Sequence, residues 1–463
     1  MIPVKRPSGH DRRIAFVMRE VQNQPVLSRI IALCCLSGIL AVLSVCIGSA
    51  CALFLWLLEL ATSCRIDHPT LLFGLPVAGV AVGLCYFWFG RDVEAGANLI
   101  VDEIHKPGAG VQLRMAPLVL LATVVSHLFG ASVGREGTAI QVGGSLASAT
   151  ARLFRLRGPE TCVLLTCGIA AGFGAVFGTP IAGAVFALEV LTLGQVDYRF
   201  LVPTALSSII ADWSCRAWGI HHASYPLVFQ GTLNSDGSVS HVDLGLVVRI
   251  AVAAVAFGLM SRIFAESVHR LAAVMKKICP TAWLRPAIGG ILTILLVALV
   301  GSRDYLGLGV LPPEPGGASI VSFFGPDIYP WSWFWKLVFT VTVLATGFKG
   351  GEVTPLFFLG AATGNVLAPL LHVPVDLLAA VGFVAVFAGA ANTPVACMLM
   401  GVELFGGADI VYFATGCFVA YVCSGHTGIY LSQRIGTPKS RFRDAICGMT
   451  LREARVPQTG KGH

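Results

Sequence analysis

Charge is what this chain has least of. Only 12% of its 463 residues are Asp, Glu, Lys or Arg, against roughly 25% in an ordinary soluble protein. Hydrophobic residues make up 55% and the mean hydropathy is +0.78. So little polar material cannot cover a globule of this size in water, which excludes a soluble enzyme or binding domain. Zinc-type spacing is also absent among the 14 cysteines. Cys34, Cys51, Cys167 and Cys397, for example, sit in apolar stretches, where thiols act as small hydrophobes; no disulfide framework, metal site or cofactor is implied. The N-terminus lacks a cleavable signal pattern, because its first apolar run is too long and no cleavage site follows. The net charge is +7, but the basic residues flank apolar runs instead of forming one face, which argues against nucleic acid as a partner.

What the chain does have is long runs without an ionisable residue: 30–58, 71–90, 161–188, 286–302, 353–371, 377–402 and 410–425. A helix needs about 20 apolar residues to cross a bilayer, so these runs predict an all-α polytopic membrane protein with the lipid bilayer as its solvent. The longest are long enough to tilt. Shorter runs broken by Gly or Pro predict helices that cross only partly, which is allowed where backbone lines a protein cavity. Lys5, Arg6, Arg12, Arg13, Arg19 and Arg29 cluster at one end, and Arg434, Lys439, Arg441, Arg443, Arg452, Arg455 and Lys461 at the other. The positive-inside rule then predicts both termini to be cytoplasmic, in the plasma (inner) membrane. The chain divides into a basic segment 1–29, an apolar half 30–220, a polar loop 221–243, a second apolar half 244–435, and a basic tail 436–463 with no regulatory domain. A further loop, rich in Gly and Pro, spans 303–330.

Against this background Gly134-Arg135-Glu136-Gly137-Thr138 places an arginine and a carboxylate at membrane depth, where such groups mark ion or proton pathways. Gly350-Gly351-Glu352-Val353-Thr354 repeats the pattern at an offset of 350 − 134 = 216. Likewise Gly178-Thr179-Pro180-Ile181-Ala182, leading to Glu189, is matched by Asn392-Thr393-Pro394-Val395-Ala396, leading to Glu403, at 393 − 179 = 214. Two matches at nearly one spacing predict an internal duplication and an ion site between the repeats. The runs do not count crossings well enough to say whether the halves are parallel or inverted. Gly168-x-x-x-Gly172, Gly174-x-x-x-Gly178 and Gly360-x-x-x-Gly364 predict faces of close helix approach.

Gly134–Thr138 is expected to open a helix, whose free N–H groups and dipole make an anion site. Glu136 can fill that site as a tethered anion. An arriving anion then forces the carboxylate to leave or take a proton, which couples anion to proton movement. The alternative is a structural pair with Arg135 or an N-terminal cap. Gly350–Pro355 supplies a second helix N-terminus, with the N–H groups of Glu352 and Val353 aimed at the same ion, Pro355 in the first turn, and a hydroxyl on Thr354. Gly130-Ala131-Ser132-Val133-Gly134 fits a hydrolase pattern, but that needs an α/β sheet, so a membrane-embedded hydrolase is a remote alternative. His127 reads as a packed histidine in preference to a proton relay, and His221 and His222 as loop residues.

Gly134-Arg135-Glu136-Gly137 resembles the GREGP signature of the CLC chloride channels and transporters, with Thr138 in place of proline. Gly350–Pro355 resembles that family's GxFxP region, and Tyr430 stands where the family places a late pore tyrosine. The resemblance implies a CLC-type fold of two inverted repeats of tilted, partly discontinuous helices, in a homodimer with one pore per subunit. Chloride members carry GSGIP where this chain has Gly96-Ala97-Asn98-Leu99-Ile100, and their antiporters carry an inner glutamate where it has Val190. GREGT, GGEVTP and the missing glutamate resemble the fluoride/proton antiporter branch, which typically has Asn or Met at the position of Ala97. By that resemblance Glu136 would gate and carry protons, Thr354 would assist the proton path, and Tyr430 would line the central site. The anion would contact the region of Ala97, Asn98, Gly134, Arg135, Gly137, Glu352 and Val353. Two readings of Glu352 stand, a structural pair or a proton handler; two of Asn98, an amide donor or a helix cap. The expected function is proton-coupled fluoride export, the alternative a chloride/proton antiporter or passive anion channel.

Overall fold

The computed structural model describes residues 26–108, 110–156, 158–233, 239–240, 242–440 and 446–455. Lys5, Arg6, Arg12, Arg13, Arg19, Arg441, Arg443 and Lys461 lie outside them. In a bilayer each backbone amide must be satisfied within the protein, and the apolar runs accordingly fold as helices. The first half holds α1 (Val26–Asp67), α2 (Leu75–Phe89), α3 (Ala97–His105), α4 (Met115–Leu128), α5 (Glu136–Leu153), α6 (Pro159–Phe177), α7 (Pro180–Glu189) and α8 (Leu201–Ala217). The second holds α9 (Leu244–Ile278), α10 (Arg285–Val300), α11 (Ser332–Thr346), α12 (Val353–Leu371), α13 (Val375–Ala391), α14 (Pro394–Phe405) and α15 (Ile410–Cys423), with α16 (Leu451–Ala454) in the tail. Strands β1 (Thr192–Leu193) and β4 (Arg434–Ile435) pair in parallel, while β2 (Thr232–Leu233) and β3 (Val239–Ser240) form a hairpin in the loop between the halves. Six of the described helical stretches are long and apolar enough to cross a membrane, and α4, α7, α11, α13, α14 and α15 are shorter. The fold is all-α and polytopic, with discontinuous helices.

Helices α4 to α8 recur in order as α11 to α15; three features show that the copies are equivalent, and the first two that they are inverted. The Glu189 carboxylate, at the end of α7, accepts the N–H groups of Val395 and Ala396 at the start of α14, at 3.1 and 2.8 Å. The Glu403 carboxylate, near the end of α14, accepts those of Ile181 and Ala182 at the start of α7, at 2.9 and 2.8 Å. Equivalent helices that each cap the other's N-terminus must run antiparallel. Gly134 and Gly351 make an isolated antiparallel bridge, exchanging N–H···O bonds of 2.6 and 2.7 Å as a two-fold axis requires. Finally, α6 and α13 end alike, at Gly178 (φ 71°) and Asn392 (φ 60°), both left-handed.

The bridge corrects the register of the repeat. Its offset is 351 − 134 = 217, one more than the glycine-glutamate grammar suggests, so Glu136 is equivalent to Val353 and Arg135 to Glu352. Both α5 and α12 begin one residue after those caps, at Glu136 and Val353. Sequence similarity paired the two glutamates because each stands two residues after a glycine and two before a threonine; backbone geometry pairs the helix starts.

Two of the three small-residue faces, Gly168-x-x-x-Gly172 and Gly360-x-x-x-Gly364, pack as their spacing predicts; in Gly174-x-x-x-Gly178 the second glycine is the left-handed C-cap of α6 and faces the His222 ring. A Cβ on Gly168 would lie 2.6 Å from the Gly143 carbonyl and one on Gly360 2.0 Å from that of Gly382, so α5–α6 and α12–α13 touch backbone to backbone. Helix α3 has no counterpart: its place in the second half is taken by the 303–330 loop, whose one helical turn is Ser322–Phe324. The tail is fastened close behind Tyr430. Leu193, Ile435 and Leu451 form a small core, Thr450 and Glu453 form a capping box on α16, and Arg455 meets Glu266 of α9 at 2.9 Å.

Candidate functional site

The two bridged glycines bring the N-termini of α5 and α12 face to face, and neither position has room for a side chain. A Cβ on Gly351 would lie 2.8 and 2.9 Å from the nitrogens of Gly137 and Glu136; one on Gly134 would lie 2.7 Å from the Glu136 carboxylate. Glu136 is fully buried. Its Oε2 accepts the N–H of Arg135 at 3.0 Å and that of Thr354 at 3.1 Å, and its Oε1 accepts the Thr354 hydroxyl. The carboxylate thus reaches from the start of α5 onto the N-terminus of α12, as a tethered anion on an anion-binding helix end. The Arg135 guanidinium stands 3.7 Å from Oε1, and its Nε is buried without a hydrogen-bond partner, so this pair is the weaker contact. Helix geometry leaves the N–H groups of Glu352 and Val353 without intrahelical acceptors.

Cavities open on both sides of Glu136. One, of about 250 Å³, is lined by Ala97, Asn98, Gly137, Glu352 and Tyr430. The other, of about 600 Å³, is lined by Arg135 together with Arg65, His221, His222 and Arg303. Arg135, Glu136 and Gly137 are consecutive, so the buried carboxylate, which lines neither cavity, separates a residue that lines one from a residue that lines the other. Most of the sequence candidates therefore gather: Ala97, Asn98, Gly137, Glu352 and Tyr430 in the smaller cavity, and Gly134, Glu136, Val353 and Thr354 in the partition, with Arg135 beyond it.

Residues outside the motifs hold the smaller cavity in shape. Asn98 does not cap α3, whose cap is Gly96. Its Oδ1 accepts the Ser432 N–H at 2.9 Å, while Asp102 accepts the Ser432 hydroxyl at 2.8 Å. That fixes α3 to the chain just beyond Tyr430 and leaves the Asn98 amide nitrogen its donors. Tyr430 is buried, packs edge-on to Phe186 with centroids 6.1 Å apart, and lies close enough to Glu352 and Glu136 for their charges to act on it. Gln141 donates to the Gly137 carbonyl at 3.0 Å and lies against Gly96. The motifs gave no signal for Gln141, Tyr86, Glu94 or Lys349, all of which line this cavity; for Lys349 the signal was available, as an ionisable residue next to Gly350.

The other sequence candidates resolve simply. Val190 is buried at the end of α7, so no carboxylate follows the clamped Glu189. Ser132 shares a hydrogen bond of 2.9 Å with Thr340, which gives a hydrolase no base. His127 is fully buried, with Nδ1 2.8 Å from the Thr123 carbonyl.

Residues 78–425 match the model of the voltage gated chloride channel family. The chain belongs to that family, the CLC proteins. It is 50% identical, over 87% of its length and 86% of the relative's, to the chloride/fluoride channel protein of Pseudomonas syringae pv. tomato. At 25% identity over 73% of the chain and 72% of the relative it also matches the H+/Cl− exchange transporter ClcA of Salmonella paratyphi B. Among solved structures, a CLC-type fluoride/proton antiporter superposes with a TM-score of 0.80 at 33% identity, covering 87% of this chain and 98% of that one. A slow cyanobacterial Cl−/H+ antiporter, at 16% identity and a TM-score of 0.71 over 84% of this chain and 94% of that one, shares the CLC fold. The protein is thus a multi-pass CLC ion-transport protein of two inverted repeats.

Proposed function

We propose that this CLC protein exchanges fluoride for protons and exports fluoride from the cell, which would confer fluoride resistance. The observation that carries the reading is the seat of Glu136, a carboxylate on two backbone N–H groups and one hydroxyl between two cavities. An anion entering the partition competes for the same N–H donors, so it binds only where the carboxylate withdraws or is protonated. Glu136 then gates the pathway and carries protons. Thr354, bonded to that carboxylate, belongs to the proton path in place of the missing inner glutamate at Val190. Anion contacts come from the amides of Arg135, Gly137, Glu352 and Val353, beside Gly134 whose own N–H is taken by Gly351, from Asn98 beside Ala97, and from Tyr430. Fluoride is small and strongly hydrated, so its site must replace water with close donors, and exposed amides do so. Likeness to a fluoride/proton antiporter over 98% of that structure supports the ion. The absence of a serine hydroxyl at Ala97 and of a carboxylate at Val190 argues against chloride/proton exchange, and retention of Glu136 against a passive channel. The assembly is a homodimer with one pore per subunit, both termini facing the cytoplasm of the inner membrane.

The test is efflux from proteoliposomes, comparing fluoride with chloride while pH is recorded. Fluoride is expected to leave faster, with opposite proton movement; chloride efflux equal to fluoride defeats the selectivity. Glu136→Gln is expected to abolish proton movement, and coupling that persists unchanged defeats the gate assignment.

A further inference from the structure

The smaller cavity contains a cation that the exchange scheme does not use. Lys349 lies between α11 and α12, one residue before Gly350, and lines the cavity with Tyr86, Glu94 and Glu352. Its Nζ stands 4.3 Å from the centroid of the Tyr86 ring. Among the described residues no carboxylate lies within 4.0 Å of it, and no hydrogen bond takes up its three donors. Glu94 and Lys276 are near enough to act on its charge, but neither forms an ion pair with it. An ammonium at membrane depth normally pairs with a carboxylate or with backbone carbonyls, as Lys336 does with the carbonyls of Tyr305 and Gly307 at 3.2 and 2.8 Å. A ring face offsets only part of the cost of removing the charge from water. Lys349 therefore lacks a fixed counter-ion in a space that leads to the anion donors of α12.

We propose that Lys349 is a staging site for the transported anion: a small hard anion arriving in this cavity is held by the ammonium over Tyr86 before passing to the amides of Glu352 and Val353. The proposal rests on the anion-exchange reading above. Glu94 opposes it. Its carboxylate, in the same cavity, lowers the local anion concentration that Lys349 raises.

The experiment measures initial fluoride flux against fluoride concentration in proteoliposomes, with proton flux in parallel. Lys349→Met is expected to raise half-saturating fluoride by roughly fivefold at low ionic strength, with a smaller effect on the maximal rate and with protons per fluoride unchanged. Lys349→Arg is expected to keep the wild-type value, and Glu94→Gln to lower it. The Lys349→Met difference is expected to shrink as an impermeant salt is added. A structural role for the Lys349–Tyr86 contact predicts instead that Lys349→Met and Tyr86→Leu both lower the maximal rate and leave half-saturation alone, which overturns the proposal. If Lys349→Met does not assemble, the Glu94→Gln shift decides, and no shift there overturns it too. Failure of the exchange reading is distinguishable, because it appears in the unaltered protein as fluoride flux without protons.

Discussion

Replacing Thr354 by valine removes one of three hydrogen bonds on the Glu136 carboxylate and nearly preserves side-chain volume. The bonds from the N–H groups of Arg135 and Thr354, at 3.0 and 3.1 Å, remain. A hydrogen bond to a charged group in a dry site contributes about 2 kcal/mol. At about 1.4 kcal/mol per tenfold, that weakens the seated carboxylate against a competing anion by roughly thirtyfold. In the proposed scheme the anion is held by the N–H donors and Thr354 serves the proton path, so the loss falls on the carboxylate. Half-saturating fluoride is expected to fall by up to that factor. Protons moved per fluoride are expected to fall as well, because the anion displaces an unprotonated carboxylate more often. Thr354→Ser keeps the hydroxyl and is expected to behave as wild type. The assay is fluoride efflux from proteoliposomes with fluoride and pH electrodes read together. If Thr354→Val shows the half-saturation and stoichiometry of wild type, the hydroxyl does not hold the gate and the competition argument fails.

Two further outcomes follow from the packing. Glu189→Gln and Glu403→Gln each replace a carboxylate that accepts two N–H groups with an amide that offers one oxygen. Each is expected to cost on the order of 1–3 kcal/mol, read as similar falls in melting temperature in detergent; a fall in only one contradicts the two-fold relation of α7 and α14. In the tail, Lys439 donates to the Tyr421 carbonyl at 2.6 Å and to the Ser424 hydroxyl at 2.9 Å, and burial pushes its pKa from the ordinary 10.5 down to about 7. Between those values the undocked tail binds more protons than the docked one, so docking strengthens as pH rises through this window, and the burial penalty is fully present below about pH 7. Trypsin cleavage in the tail is expected to slow from pH 7 to 9 relative to a free peptide, and faster cleavage contradicts it.

The membrane class, the duplication and the site around Glu136 were legible because their signals are local: an uncharged run, a repeated motif, a carboxylate among glycines. Inversion was legible only through the family resemblance; the apolar runs did not carry it, because it depends on which helix caps which. Glu189 and Glu403 look alike in sequence, and only their reach of more than 200 residues to each other's helix shows the two-fold axis. The register of the repeat misled by one residue because glycine-glutamate similarity is weaker information than the hydrogen-bonded pairing of Gly134 with Gly351. Asn98 beside a glycine read equally well as a cap or a ligand, since its true partner, Ser432, lies 334 residues away.

The corrected register gives the asymmetry of the site a physical form. A two-fold axis between Gly134 and Gly351 makes Arg135 and Glu352 equivalent and turns them to opposite cavities, and they carry opposite charge. The cavity at Arg135 sets Arg65, Arg135 and Arg303 against Glu59 and Asp304, a net positive lining that, in the proposed exchange, draws an anion to the partition. In the proposed exchange the carboxylates of Glu352 and Glu94 repel an anion from the other cavity, so its arrival there needs a separate cation. Lys349, three residues before Glu352 and without a fixed partner, supplies it. Duplication alone would have produced two identical mouths; unlike residues at one equivalent position make the two mouths differ in charge.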